Sequence, residues 1–188
     1  ANVRRDGASQ LGVNSKYGIF WGVSASWDVL SEKFIQNMKL DKVFSSLRLR
    51  SSYGKVGNIG GLGNFASLST YSSGLYGSAG TVGYSQAGNP NLTWETSKKT
   101  DVGLNFGLFN DRIYGGFDYY NSITYDLLLN VNIASSAGFT TALTNVGEVE
   151  NKGFEIDLGF TPIKTNNFKW DVKTNYATYK TKVVALAS

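Results

Sequence analysis

The stretch WETSKKTDVGLNFGLFNDRIYGGFDYY, residues 94–120, decides the fold. Along it Thr96, Lys98, Thr100, Val102, Leu104, Phe106 and Leu108 follow Trp94 on one face. Glu95, Ser97, Lys99, Asp101, Gly103 and Asn105 take the other. Alternate side chains of a strand leave opposite faces, so this is one apolar and one polar or small face. Phe109-Asn110-Asp111-Arg112 then reads as a tight turn, because Asn and Asp tolerate left-handed backbone. Beyond it Ile113, Gly115, Phe117 and Tyr119 alternate with Tyr114, Gly116, Asp118 and Tyr120. Together they predict a long antiparallel hairpin.

The same period recurs on both sides. Ile19, Trp21, Val23, Ala25, Trp27 and Val29 alternate with Phe20, Gly22, Ser24, Ser26 and Asp28. A second strand is expected from about Phe44 to Gly54, with Leu47, Leu49, Ser51 and Tyr53 opposite Arg48, Arg50 and Ser52. Phe154, Ile156, Leu158 and Phe160 precede a turn at 162–167, and Phe168, Trp170, Val172, Thr174, Tyr176 and Thr178 follow it. Counting a stub at residues 1–6, about seven strands emerge. Residues 31–38 read as a helical turn in a connection: Ser31 can cap it, but Phe34 stands where a capping box needs an acid or amide. Residues 55–93, rich in Gly, Ser, Asn and Tyr, and residues 126–145 are expected to be long loops.

Short turns alternating with long loops, on strands long for a soluble domain, form the pattern of an outer-membrane barrel. Asp118, Glu155, Asp157, Lys169 and Asp171 on the polar face suit a wet lumen. Trp94, Tyr119, Tyr120 and Phe168 near strand ends suit an interfacial girdle. No run of about 18 apolar residues predicts a membrane helix, which leaves spanning strands open. The N-terminus has no signal-peptide core, and both ends read as cut rather than designed.

Composition narrows the chemistry. The 188 residues include no His and no Cys. Zinc, haem and iron–sulfur sites lean on those ligands, and His-based nucleophilic catalysis needs the imidazole. We therefore expect no cofactor, no metal and no enzyme. The net charge of +4 is scattered without a basic block, so no nucleic-acid partner is expected. High Gly (22) with 14% aromatics suits strands and turns over helices.

Several runs carry a family resemblance: Asn2-Val3-Arg4-Arg5-Asp6-Gly7, Phe20-Trp21-Gly22-Val23-Ser24-Ala25-Ser26-Trp27, residues 47–58 (LRLRSSYGKVGN), residues 89–101 (NPNLTWETSKKTD), Asp118-Tyr119-Tyr120-Asn121 and residues 145–155 (NVGEVENKGFE). In order and end to end, they are similar to the SusC/RagA family of TonB-dependent outer-membrane transporters. The resemblance implies a 22-stranded barrel with a plug, of which residues 1–188 would be a barrel segment. It also implies a SusD-like surface lipoprotein, TonB acting through the plug, outer-membrane lipid around the wall, and oligosaccharide or peptide as substrate. The loops at 55–93 and 126–145 would then be extracellular. About seven strands cannot close such a barrel, so either a longer polypeptide or other chains complete it.

Two rivals remain at this level. One is a soluble β-sandwich carbohydrate-binding module. The other is a barrel enzyme using a Ser-Lys or carboxylate scheme. Individual constellations are weak. Gly61-Leu62-Gly63-Asn64-Phe65-Ala66 has dinucleotide-motif spacing but no strand–helix context. Glu148 and Glu150 share a strand face and read as lumen wall or a strand's outer end, with ion binding as the alternative. Asn91-Leu92-Thr93 is a sequon by coincidence, and Trp94 reads as an interface anchor. Arg48 and Arg50 read as lumen solvation or substrate steering. Tyr71, Tyr76 and Tyr84 are the candidate ligand or partner contacts, against simple self-packing of the loop.

Overall fold

A computed structural model describes residues 1–36 and 40–186. Among the described residues there are eleven strands: β1 (Asn2–Gly7), β2 (Tyr17–Asp28), β3 (Phe44–Asn58), β4 (Thr70–Tyr76), β5 (Ala79–Gln86), β6 (Glu95–Leu108), β7 (Ile113–Tyr125), β8 (Leu128–Asn132), β9 (Thr141–Asn145), β10 (Glu148–Lys164) and β11 (Lys169–Ala185). Seven of them form one antiparallel sheet in the order β1-β2-β3-β6-β7-β10-β11. The other four pair as separate hairpins, β4–β5 and β8–β9.

Register puts each face in order. Trp27, Leu49, Leu104, Phe117, Ile156 and Tyr176 lie on one continuous rung. The neighbouring rung runs Ser26, Arg50, Gly103, Asp118, Glu155 and Ala177. Directly paired residues share a face, so the first rung belongs to an apolar face and the second to a polar one. Trp27, Leu49, Phe117 and Tyr176 are all exposed. Among the described residues no second sheet covers this apolar face, so the wall is a single layer and the β-sandwich alternative is not its architecture.

The connections sort by end. β6–β7 turns through residues 109–112 and β10–β11 through 165–168, both at one end. Residues 29–43 join β2 to β3 at that same end and include the helical turn Lys33–Gln36. Residues 8–16, 59–94 and 126–147 lie at the opposite end, and the latter two carry the hairpins. Two boundaries differ from the sequence reading. The strand predicted to end at Gly54 continues to Asn58, so Lys55–Asn58 are wall rather than loop. The turn predicted at 162–167 begins later, because β10 runs to Lys164 across a bulge between Phe160 and Ile163. Along Lys55–Asn58 the alternation was hidden because Gly54 and Gly57 carry no side chain.

Part of the predicted helical turn, residues 37–38, lies outside the described residues. The Ser31 hydroxyl donates to the Asp28 carbonyl at 2.7 Å. In the β6–β7 turn, Asn110 and Asp111 adopt positive φ as expected, and so does Phe109 at 54°. The Phe109 N–H donates to the Val43 carbonyl at 2.9 Å, which holds this uncommon geometry in place.

Among the described residues the one compact core lies at the long-connection end. Leu11 and Leu92 are fully buried there, with Ala8, Phe20, Ala66 and Trp94 around them. Ile59, Leu62, Leu128 and Leu143 pack against this cluster, so both long connections are anchored to it. The Phe20 ring meets Trp94 edge-on at 5.1 Å. It occupies the space a Cβ on Gly57 would need.

Candidate functional site

The polar face of the wall is organised around a glycine. Arg50 on β3 reaches across β6 to Asp118 on β7, with Nη2 2.8 Å and 3.0 Å from the two carboxylate oxygens. Gly103 lies between them in register. A Cβ there would collide with Asp118, so only glycine lets this two-strand span form. One rung nearer the long connections, the Ser52 hydroxyl donates to Asp101 at 3.3 Å. Towards the short turns, Arg48 meets Asp28 at 3.6 Å. Asp157 faces Gly116, and Lys169 pairs with Asp171 at 2.7 Å. Cations and carboxylates thus alternate over a hydrated surface, and each exposed pair contributes at most about 1 kcal/mol. The arrangement is a polar wall, not a convergent acid–base site. Among the described residues no group of three or more Asp or Glu side chains is placed to hold a metal.

The long connections are joined by a latch that sequence reasoning missed. Asn145, the last residue of β9, uses its whole side-chain amide. Its Oδ1 accepts the Thr93 N–H at 2.8 Å, and its Nδ2 donates to the carbonyls of Thr93 at 2.8 Å and Asp126 at 3.0 Å. Asn89 adds a bond from Nδ2 to the Leu143 carbonyl at 3.1 Å. Glu95 accepts from Asn58 Nδ2 at 3.0 Å. Gly12 approaches the Pro90 backbone where a Cβ could not fit. The 89–101 and 145–155 segments are therefore one structure in space. The only sequence hint was asparagine recurring at both places.

The three tyrosines separate. Tyr71 and Tyr84 are direct cross-strand partners on the β4–β5 hairpin, ring centroids 4.5 Å apart. Tyr84 also meets Phe139, from the β8–β9 hairpin, edge-on at 5.4 Å. Tyr76, an odd number of residues from Tyr71, points from the opposite face near the hairpin tip. A hydrogen bond with Tyr84 holds the Tyr71 phenol above the usual tyrosine range. Leu75 and Val82 extend the Tyr71–Tyr84 face, and all four side chains are exposed.

Two other assignments change, and two weak constellations find their places. Trp94 is not an interface anchor: it is buried against Phe20. Tyr120 lies on the polar face, packed over Gly153, instead of in an outer girdle. Glu148 and Glu150 stand at a strand end, the second of their two readings, on the apolar wall's face and not on the polar wall, and Glu150 pairs with Lys152 at 3.2 Å. In Gly61–Ala66, Gly61 adopts a positive φ and Ala66 is buried in the loop core; among the described residues no βαβ unit surrounds it.

A single-layer antiparallel sheet with one apolar face, one polar face and its long connections gathered at one end is the wall of a transmembrane β-barrel. The comparisons narrow that class. The family model described as TonB dependent receptor-like, beta-barrel, matches residues 1–186. The chain is 37% identical to TonB-dependent receptor P26 of Formosa agariphila, over 97% of this chain and 18% of that protein. It is 34% identical to TonB-dependent receptor SusC of Bacteroides thetaiotaomicron, over 92% of this chain and 18% of that protein. The solved structure of the RagAB peptide transporter matches with a TM-score of 0.86 at 31% identity, over 98% of this chain and 20% of that one. The chain belongs to the TonB-dependent receptor β-barrel family, in its SusC/RagA-like branch. It spans about a fifth of the length of the relatives it matches.

Proposed function

We propose that this chain is a wall segment of a TonB-dependent importer in the bacterial outer membrane, taking up oligosaccharides or peptides with a SusD-like surface lipoprotein. The observation that carries the reading is the two-faced sheet: an uncovered apolar face outside, ion pairs on the polar face inside. The apolar face meets lipid and the polar face lines the lumen. Further strands pair with β1 and β11, because unpaired edge N–H and C=O groups in hydrocarbon cost several kcal/mol each. The hairpin-bearing end faces outward, with domain limits 1–188 for the barrel segment. Tyr71 and Tyr84 offer an exposed aromatic pair to ligand or lipoprotein, while Tyr76 at the tip offers a separate contact. The segment itself performs no catalysis. The plug gates the lumen and TonB drives it.

The test is uptake by cells lacking the receptor and re-expressing it. Labelled oligopeptides and oligosaccharides are offered with TonB intact or deleted. TonB-dependent accumulation of one class supports the reading. Equal accumulation with and without the receptor overturns it.

A further inference from the structure

Five lysines stand on the outer, apolar-side face at its long-connection border. Lys55 and Lys98 are directly opposed on β3 and β6, in the rung Trp21, Lys55, Lys98, Ile123, Glu150, Lys182. Lys152 and Lys180 are directly opposed on β10 and β11, in the next rung towards the membrane centre. Like charges directly opposite on a sheet are destabilising, and here this happens twice. Glu150 pairs with Lys152, and Glu148 lies one rung further out. Among the described residues, no carboxylate lies within ion-pair distance of Lys55, Lys98, Lys180 or Lys182.

Position identifies what such a belt meets. Below these two rungs, every outer-face position in the sheet is uncharged as far as the Phe44, Leu108, Ile113, Phe160, Val172 rung. Trp21 and Tyr53 interleave with the lysines, 5.3 Å apart edge-on, and Lys98 Nζ lies 5.2 Å from the Tyr125 ring. Trp and Tyr mark the headgroup level, and lysine stems lie along apolar surface while their ammonium groups rise to it. A neutral glycan cannot relieve the opposed charges, and a soluble protein cannot reach a border flanked by acyl chains.

We propose that the two lysine pairs are binding subsites for phosphate groups on lipid headgroups of the outward leaflet. This rests on the lipid-facing, hairpin-outward orientation proposed above. Adjacent strands are about 4.8 Å apart, so one phosphate bridges each pair. The pair centres are three strands apart, roughly 14 Å, so each subsite takes its own phosphate.

The experiment uses the full-length receptor in nanodiscs, with native mass spectrometry counting retained lipid. The probes are lipid A carrying its phosphates and the same lipid dephosphorylated. The variants are K55Q/K98Q and, as a control of equal charge on the polar face, K99Q/K173Q. The expected result is preferential retention of the phosphorylated lipid, weakened by about fivefold per lysine removed in K55Q/K98Q and unchanged in the control. Equal retention of the two lipids, or equal loss in both variants, overturns the proposal. Protease cleavage at the Gly77–Ser78 hairpin tip on intact cells tests the orientation separately. A cleaved tip without phosphate preference sinks only the lysine subsites; a protected tip sinks the orientation and the subsites with it.

Discussion

Substituting Asn145 tests whether the two long connections form one cooperative unit. Its amide makes three hydrogen bonds to backbone groups of Thr93 and Asp126, all within 3.0 Å and all half-buried. At about 1 kcal/mol net per bond, less some recovery by water, Asn145→Ala costs about 2–3 kcal/mol locally. That raises the open population of the latch by roughly 30–150-fold. Leu128 and Leu143 sit on the same core, so opening exposes Leu92 and Leu11 as well. Hydrogen exchange of the intact receptor should show peptides covering 89–94 and 126–145 losing protection by that factor. The β6–β7 ladder should stay unchanged. Asn145→Asp sharpens the test. It keeps the acceptor for Thr93 N–H but sets a carboxylate against the Thr93 and Asp126 carbonyls. It should therefore disrupt at least as much as Asn145→Ala despite its nearly identical shape. A mild Asn145→Asp variant, or unchanged protection in Asn145→Ala, would refute the latch.

Three further expectations concern other parts of the molecule. Leu104→Arg places a charge in the middle of the apolar face and should cost about 2–4 kcal/mol in a bilayer, whereas Asn105→Arg on the polar face should cost almost nothing; equal denaturant midpoints would contradict the face assignment. Phe109→Asn should gain about 0.5–1 kcal/mol, because Asn tolerates the left-handed geometry that Phe109 is held in and little ring burial is lost; a lower melting temperature would mean the ring is seated against lipid or another segment. Tyr71 is held above the usual tyrosine range, so the Tyr71–Tyr84 contact supports the hairpin at all pH values below that range and is lost as pH rises through the folded value. In Tyr84→Phe the Tyr71 phenol should ionise earlier by absorbance titration, and an unchanged titration curve would count against the bond.

Alternation was legible wherever both faces carried contrasting side chains, as from Val102 to Leu108 and from Phe154 to Phe160. It failed where glycine or serine filled one face. Lys55–Asn58 looked like loop for that reason, and the β4–β5 hairpin was hidden in a Gly/Ser run. Tyrosines were a sound signal of order in that run, but spacing alone did not say that Tyr71 and Tyr84 pair while Tyr76 faces away.

The sequence by itself determined the strand period, which face is apolar, and the division into short and long connections. These follow from side-chain chemistry repeated at a spacing of two, which is a local property. Only the tertiary structure decided that Gly103 bridges Arg50 to Asp118, that Trp94 is core and not anchor, and that four lysines from four strands meet in two opposed pairs. Each depends on inter-strand register, where a one-residue slip would move every one of these side chains to the other face.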